Sequence, residues 1–182
     1  MTGADNTCEV IAVYNVLQYL NGGNSKKNDN TGASVEFPEL LRAFSKKGIA
    51  YKGMFGTNPR ALKKYFKEKG YEVEELKASK ISPINCERFE KEYRVFVLTT
   101  FNKGQNPFSM VHTMCITAGG AEDCDVRTGD KTVRDLAELK NTVKYRLHND
   151  YEGSKLYDSL YDAVTGYNDG KGHPVYLLAV RE

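Results

Sequence analysis

Val10, Ile11, Val13, Tyr14, Val16, Leu17 and Leu20 wrap apolar side chains around most of one helical segment. A helix apolar on nearly every side is a buried one. Asn6 is a preferred N-cap residue, and Glu9 three residues later completes a capping-box-like pattern. Asn21-Gly22-Gly23 ends the segment, and Asn24 to Ala33 reads as a polar loop. Pro38 starts a second helix, Glu39 to Lys47, stopped by Gly48. Asn58-Pro59 starts a third, with Leu62, Tyr65 and Phe66 at helical spacing and Gly70 closing it. Tyr71 to Leu76 predicts a short strand, and Asn85 to Tyr93 a small helix.

From there the pattern turns to strands. Val95 to Phe101 is rich in β-branched and aromatic residues, and Met110 to Thr117 is a second such run. Gly119 to Asn141 is charged and poorly patterned, which predicts a surface excursion. Val143 to Asn149 reads as a strand, Ser154 to Val164 as a helix and Pro174 to Val180 as a final strand. Helices gather in the first half and strands in the second. That segregation predicts an α+β fold with an antiparallel sheet, formed by residues 1–182 as a single domain.

Composition changes this picture little. The 182 residues are 40% hydrophobic and 27% charged, as in an ordinary soluble globular domain. The net charge is +2, and the lysines alternate with glutamates, so no nucleic-acid partner is expected. No apolar stretch is long enough for a membrane span, and no basic region with an apolar core opens the chain. The expectation is a cytoplasmic protein. The four cysteines (Cys8, Cys86, Cys115, Cys124) show no Cys-x-x-Cys spacing, and His112, His148 and His173 form no ligand pattern. No metal or other cofactor is called for.

A thiol attacks as the thiolate, whose formation is favoured at a helix N-terminus and beside an imidazolium. Cys8 meets the first condition; otherwise it is a small core hydrophobe. Cys86, in Asn85-Cys86-Glu87, is the competitor, but the helix after it is short and highly charged. For the base, alternation places His112 on one strand face with Met110, Met114 and Ile116. His173 sits in a glycine-rich turn. In Val143 to Asn149 the apolar side carries Tyr145, Leu147 and Asn149, whereas Lys144, Arg146 and His148 point toward water. A buried Asn149 amide would need a partner, and an imidazole N–H is a suitable one; the alternative is a cap on the following turn.

The helix-opening Asn6-Thr7-Cys8-Glu9-Val10-Ile11-Ala12, then Val111-His112-Thr113-Met114, then Leu147-His148-Asn149, resembles the papain-like cysteine peptidases. Within them it is similar to the small bacterial proteins related to double-glycine leader peptidases. Gly53 to Ala61, with Phe66 and Gly70-Tyr71, is similar to the connecting helices of that group. The resemblance implies a papain-like fold, with an N-terminal helical part whose buried nucleophile helix packs on a C-terminal antiparallel sheet. It implies Cys8 as nucleophile, His112 as base and Asn149 as orienting residue, acting on a peptide or protein substrate. Where the family carries an oxyanion glutamine this chain has Thr2, and the nearby amide is Asn6. Losing one such donor costs about 2.7–4 kcal/mol of transition-state stabilisation. The long interval after His112 makes Asp125 a rival for Asn149. The same residues would also serve an acyltransferase or a glutamine deamidase, and a papain-like fold retained for peptide binding needs none of them to react.

Overall fold

The computed structural model describes residues 8–22, 36–46, 59–104, 111–119, 143–149 and 155–182. In chain order the elements are α1 (Cys8–Gly22), α2 (Phe37–Lys46), α3 (Pro59–Glu68), β1 (Glu72–Lys77) and a 3-10 turn (Ala78–Lys80). Then come α4 (Pro83–Glu92), β2 (Val95–Phe101), β3 (Val111–Gly119), β4 (Lys144–His148), β5 (Leu156–Tyr157), α5 (Leu160–Thr165) and β6 (His173–Arg181). The strands make one six-stranded sheet in the order β1-β6-β2-β3-β4-β5, antiparallel at every pairing. This is the expected mixture of helices and antiparallel sheet.

Each face of the sheet carries its own apolar layer. Val95, Val97, Cys115, Tyr176, Leu178 and Val180 pack under α1, α2 and α3. Phe96, Leu98, Met114, Ile116, Leu177 and Ala179 pack under α4 and α5. Successive strand residues point to opposite faces, so the unbroken apolar run of β2 supplies both layers. The helix α1 contributes Val10, Ala12, Val13, Val16 and Leu17 to the first layer, and the Tyr19 hydroxyl donates to the carbonyl of Ala118 in β3. Tyr14 meets Phe37 edge-on at 5.5 Å, and Phe44 meets Tyr65 at 5.0 Å, which ties α1 to α2 and α2 to α3.

Local signals explain most boundaries. At the end of α3 the Tyr71 N–H donates to Phe66 O (3.0 Å) and the Gly70 N–H to Lys67 O (3.1 Å). That is a Schellman motif, and Gly70 takes its left-handed position at φ 89°. Ser82 caps α4, accepting from the Asn85 N–H, with Pro83 in the first helical turn. The helix expected over Ser154 to Val164 is corrected: Leu156–Tyr157 pairs with β4, and helix starts only at Leu160. The reason is Ser159, whose hydroxyl accepts from the Asp162 N–H at 3.0 Å and caps the helix there.

One alternation call changes with the layers. His148 does not point to water; it lies opposite Cys115, half-buried on the α1 side, with Nε2 2.8 Å from Thr117 Oγ1. Burial, with Arg146 nearby, holds its pKa below the ordinary imidazole value. The Arg146 Nε is itself buried without a hydrogen-bond partner. No helix among the described residues is long and apolar enough to cross a membrane.

Two outcomes follow from this packing. Phe66 is fully buried between α3 and the sheet, so Phe66→Ala should lower stability by about 3–5 kcal/mol in denaturant unfolding. His148 is protonated more readily in the unfolded chain than in the folded one. Stability should therefore fall as pH drops through and below about 6.5, the ordinary imidazole value, and His148→Gln should flatten that slope.

Candidate active site

Strand β4 ends at His148, opposite Cys115, whereas β3 extends back to Val111. Among the described residues the N-terminal part of β3 therefore has an open edge on that side. Asn149 turns the chain away in a left-handed conformation at φ 68°, which asparagine tolerates better than most residues. Its side-chain amide donates to Thr113 O at 3.4 Å, along that same edge. Its backbone carbonyl lies 2.5 Å from His112 Nε2. A carbonyl can only accept, so Nε2 carries the proton, and in the neutral ring Nδ1 is left as the basic nitrogen. The orienting bond expected from the Asn149 side chain is thus made by its main chain.

Cys8 opens α1 at the same place. The backbone of Thr113, the neighbour of His112, hydrogen-bonds the sulfur and favours its thiolate. Stronger influences oppose it. The half-buried thiol donates to Glu9 Oε2 at 3.1 Å. Burial first, and then the Glu9 charge and that hydrogen bond, push the Cys8 pKa up to about 12. The helix N-terminus does not lower it, because the carboxylate beside the sulfur and the loss of water outweigh the dipole. Glu9 is 1% exposed, which capping logic alone did not suggest.

The imidazole stands on the face of β3 shared with Met114, while Thr113 shares the opposite face with Cys115. The thiol and the ring thus approach the β3 edge from its two sides. Sequence reasoning missed what holds the ring: Tyr167, 2% exposed, stacks on His112 with centroids 5.9 Å apart and planes 25° from parallel. Its hydroxyl donates to Asn102 Oδ1 at 3.0 Å, and the Asn168 amide donates to Asn102 O at 2.8 Å. Asn168, Asp169 and Gly170 all have positive φ (52°, 50° and 75°), a costly run for a loop of no consequence. The signal in the sequence was the Asn-Asp-Gly turn before the last strand.

The other candidates separate clearly. Cys86 is fully buried, its pKa raised to about 11 by burial and then Glu90, and Cys115 is fully buried with its pKa raised by burial alone. Both are core thiols. Thr2, Asn6, Cys124 and Asp125 lie outside the described residues. Among the described residues no three His, Cys, Asp or Glu side chains gather as a metal site. An open recess of about 550 Å³ is lined by Arg60, Lys63, Lys64, Lys67, Glu68 and Glu75, on α3 and β1. It is separated from β3 by β6 and β2, and Lys63 and Lys64 pair with Glu75 and Glu68 (3.1 and 3.7 Å). It is a solvated charged face rather than part of the Cys8 site. Comparison of the chain with protein-family models, curated proteins and solved structures finds no match in any of the three.

Gly172 passes so close to Tyr167 that an added Cβ would lie 2.6 Å from Cδ1 of the ring and 3.2 Å from Thr100 Oγ1. Gly172→Ala should cost about 1–3 kcal/mol and shift the His112 ring resonances in NMR spectra as Tyr167 is displaced.

Proposed function

We propose that the chain is a cysteine-dependent hydrolase of peptide or amide bonds, built on a papain-like Cys-His-Asn constellation. The observation that carries this reading is the convergence of Cys8, His112 and Asn149 on one open edge of β3. The order along the chain, a helix-opening cysteine followed by a strand histidine and then an asparagine, supports it further.

In this mechanism His112 Nδ1 takes the thiol proton, and the thiolate attacks the substrate carbonyl carbon. The tetrahedral intermediate collapses as the imidazolium gives its proton to the departing amine, leaving a thioester on Cys8. Water, deprotonated by the same nitrogen, then releases the acid and restores the thiol. Asn149 O fixes the tautomer that leaves Nδ1 free for both transfers. The Cys8 N–H, with Thr2 or Asn6, would be the donors to the oxyanion.

The high thiol pKa favours a second reading, a papain-like module that binds peptides and turns them over slowly. Hydrolysis of a mixed peptide library, followed by mass spectrometry, separates the two. Cys8→Ala should abolish cleavage, and His112→Ala should lower kcat by about 10²–10⁴. Asn149→Ala should cost only about tenfold or less, because the orienting carbonyl belongs to the main chain. Cleavage that survives Cys8→Ala would sink the hydrolase reading. Peptide binding without cleavage, unchanged in Cys8→Ser, would establish the module instead.

A further inference from the structure

A buried hydroxyl row runs beneath the start of α1. Tyr176, Thr99 and Thr113 are register partners on the adjacent strands β6, β2 and β3. All three lie on the α1 side of the sheet and are 4%, 3% and 1% exposed. Thr99 and Thr113 bond to each other, Oγ1 to Oγ1 at 3.1 Å. The Tyr176 hydroxyl makes no hydrogen bond, although Thr99 is near enough to temper the rise that burial imposes on its pKa. Glu9 and Cys8 are also near enough to act electrostatically on that hydroxyl. A buried hydroxyl without a partner is costly, and so is a carboxylate buried at 1% exposure.

We propose that Glu9 is the positioning residue of the nucleophile: its buried carboxylate holds the Cys8 S–H, and Tyr176 is the reserve donor that takes over the carboxylate when the thiol proton passes to His112. The inference rests on the hydrolase reading for the direction of that proton. The S–H bond breaks, an Nδ1–H bond forms on His112, and the products are a thiolate and an imidazolium. Glu9 stays ionised throughout and exchanges an S–H donor for the O–H of Tyr176, which keeps its own proton. The titratable groups around the thiol are Glu9 from α1, His112 from β3 and Tyr176 from β6, with Glu75 of β1 acting on Tyr176 in turn. The device keeps the nucleophile protonated at rest without leaving either buried oxygen permanently unmatched.

The test is the rate of iodoacetamide alkylation at Cys8 as a function of pH, read by peptide mass mapping with Cys86 as an internal reference. Glu9→Gln removes the charge and should speed Cys8 alkylation at neutral pH by about tenfold, one pKa unit, with the profile moved to lower pH. Tyr176→Phe removes only the reserve donor and should act in the opposite sense, slowing alkylation about threefold to tenfold. Opposite signs in the two variants are the signature of the exchange, since a general loosening of the fold would speed both. An unchanged or slower Glu9→Gln profile, or a faster Tyr176→Phe one, overturns the proposal even if peptide hydrolysis is intact. Opposite shifts in a protein that cleaves no peptide uphold the hold on the thiol while the hydrolase reading fails. Should Glu9→Gln not fold in a thermal melt, the sign of the Tyr176→Phe effect alone decides.

Discussion

Strand β2 is buried on both faces from Val95 to Thr100, and the remaining architecture answers to that constraint. A strand in such a position needs a partner on each edge and an apolar layer above and below. The partners are β3 and β6, and the layers are α1 to α3 on one side and α4 with α5 on the other. Once β2 is sandwiched, α1 must lie along β3, because its own apolar circumference leaves it no other face to bury. The start of that helix is thereby delivered to the N-terminal part of β3, where Cys8 meets Thr113.

The candidate site is what the sheet leaves open. Because β4 stops at His148, the backbone groups of β3 beyond that point are available to something other than a strand. Asn149 uses the gap twice, through its side chain to Thr113 and through its carbonyl to His112. The loop of Tyr167 to Gly172 closes the far side of the imidazole, with strain concentrated in its left-handed residues. Strained backbone retained beside a titratable ring is the kind of local cost that a functional site repays.

Burial both assembles this site and restrains it. The enclosure that brings Cys8 to β3 removes the water that would stabilise a thiolate, and Glu9 adds a like charge beside the sulfur. A helix N-terminus is worth on the order of 0.3–1 kcal/mol to an anion, whereas each pKa unit is about 1.4 kcal/mol. The dipole is therefore the weaker influence, and the resting thiol keeps its proton. Any chemistry at Cys8 depends on handing that proton to a specific acceptor rather than on a standing thiolate.

The sequence by itself determined the local elements. Apolar periodicity marked α1, the β-branched runs marked β2 and β3, and Pro59 and Gly70 bounded α3, because these signals act between near neighbours in the chain. It also singled out Cys8, His112 and Asn149 by residue type and placement. Where a tertiary contact competed with a local pattern, the pattern lost: Ser154 to Val164 split into a strand and a capped helix, and His148 turned inward toward Thr117. Only the tertiary structure decided that the Asn149 main chain orients His112, that Tyr167 stacks on it, and that Glu9 is buried against the thiol. Each of those facts depends on which strand edge is left open and which face a helix covers, and residues 36 to 65 positions apart carry no local mark of meeting there.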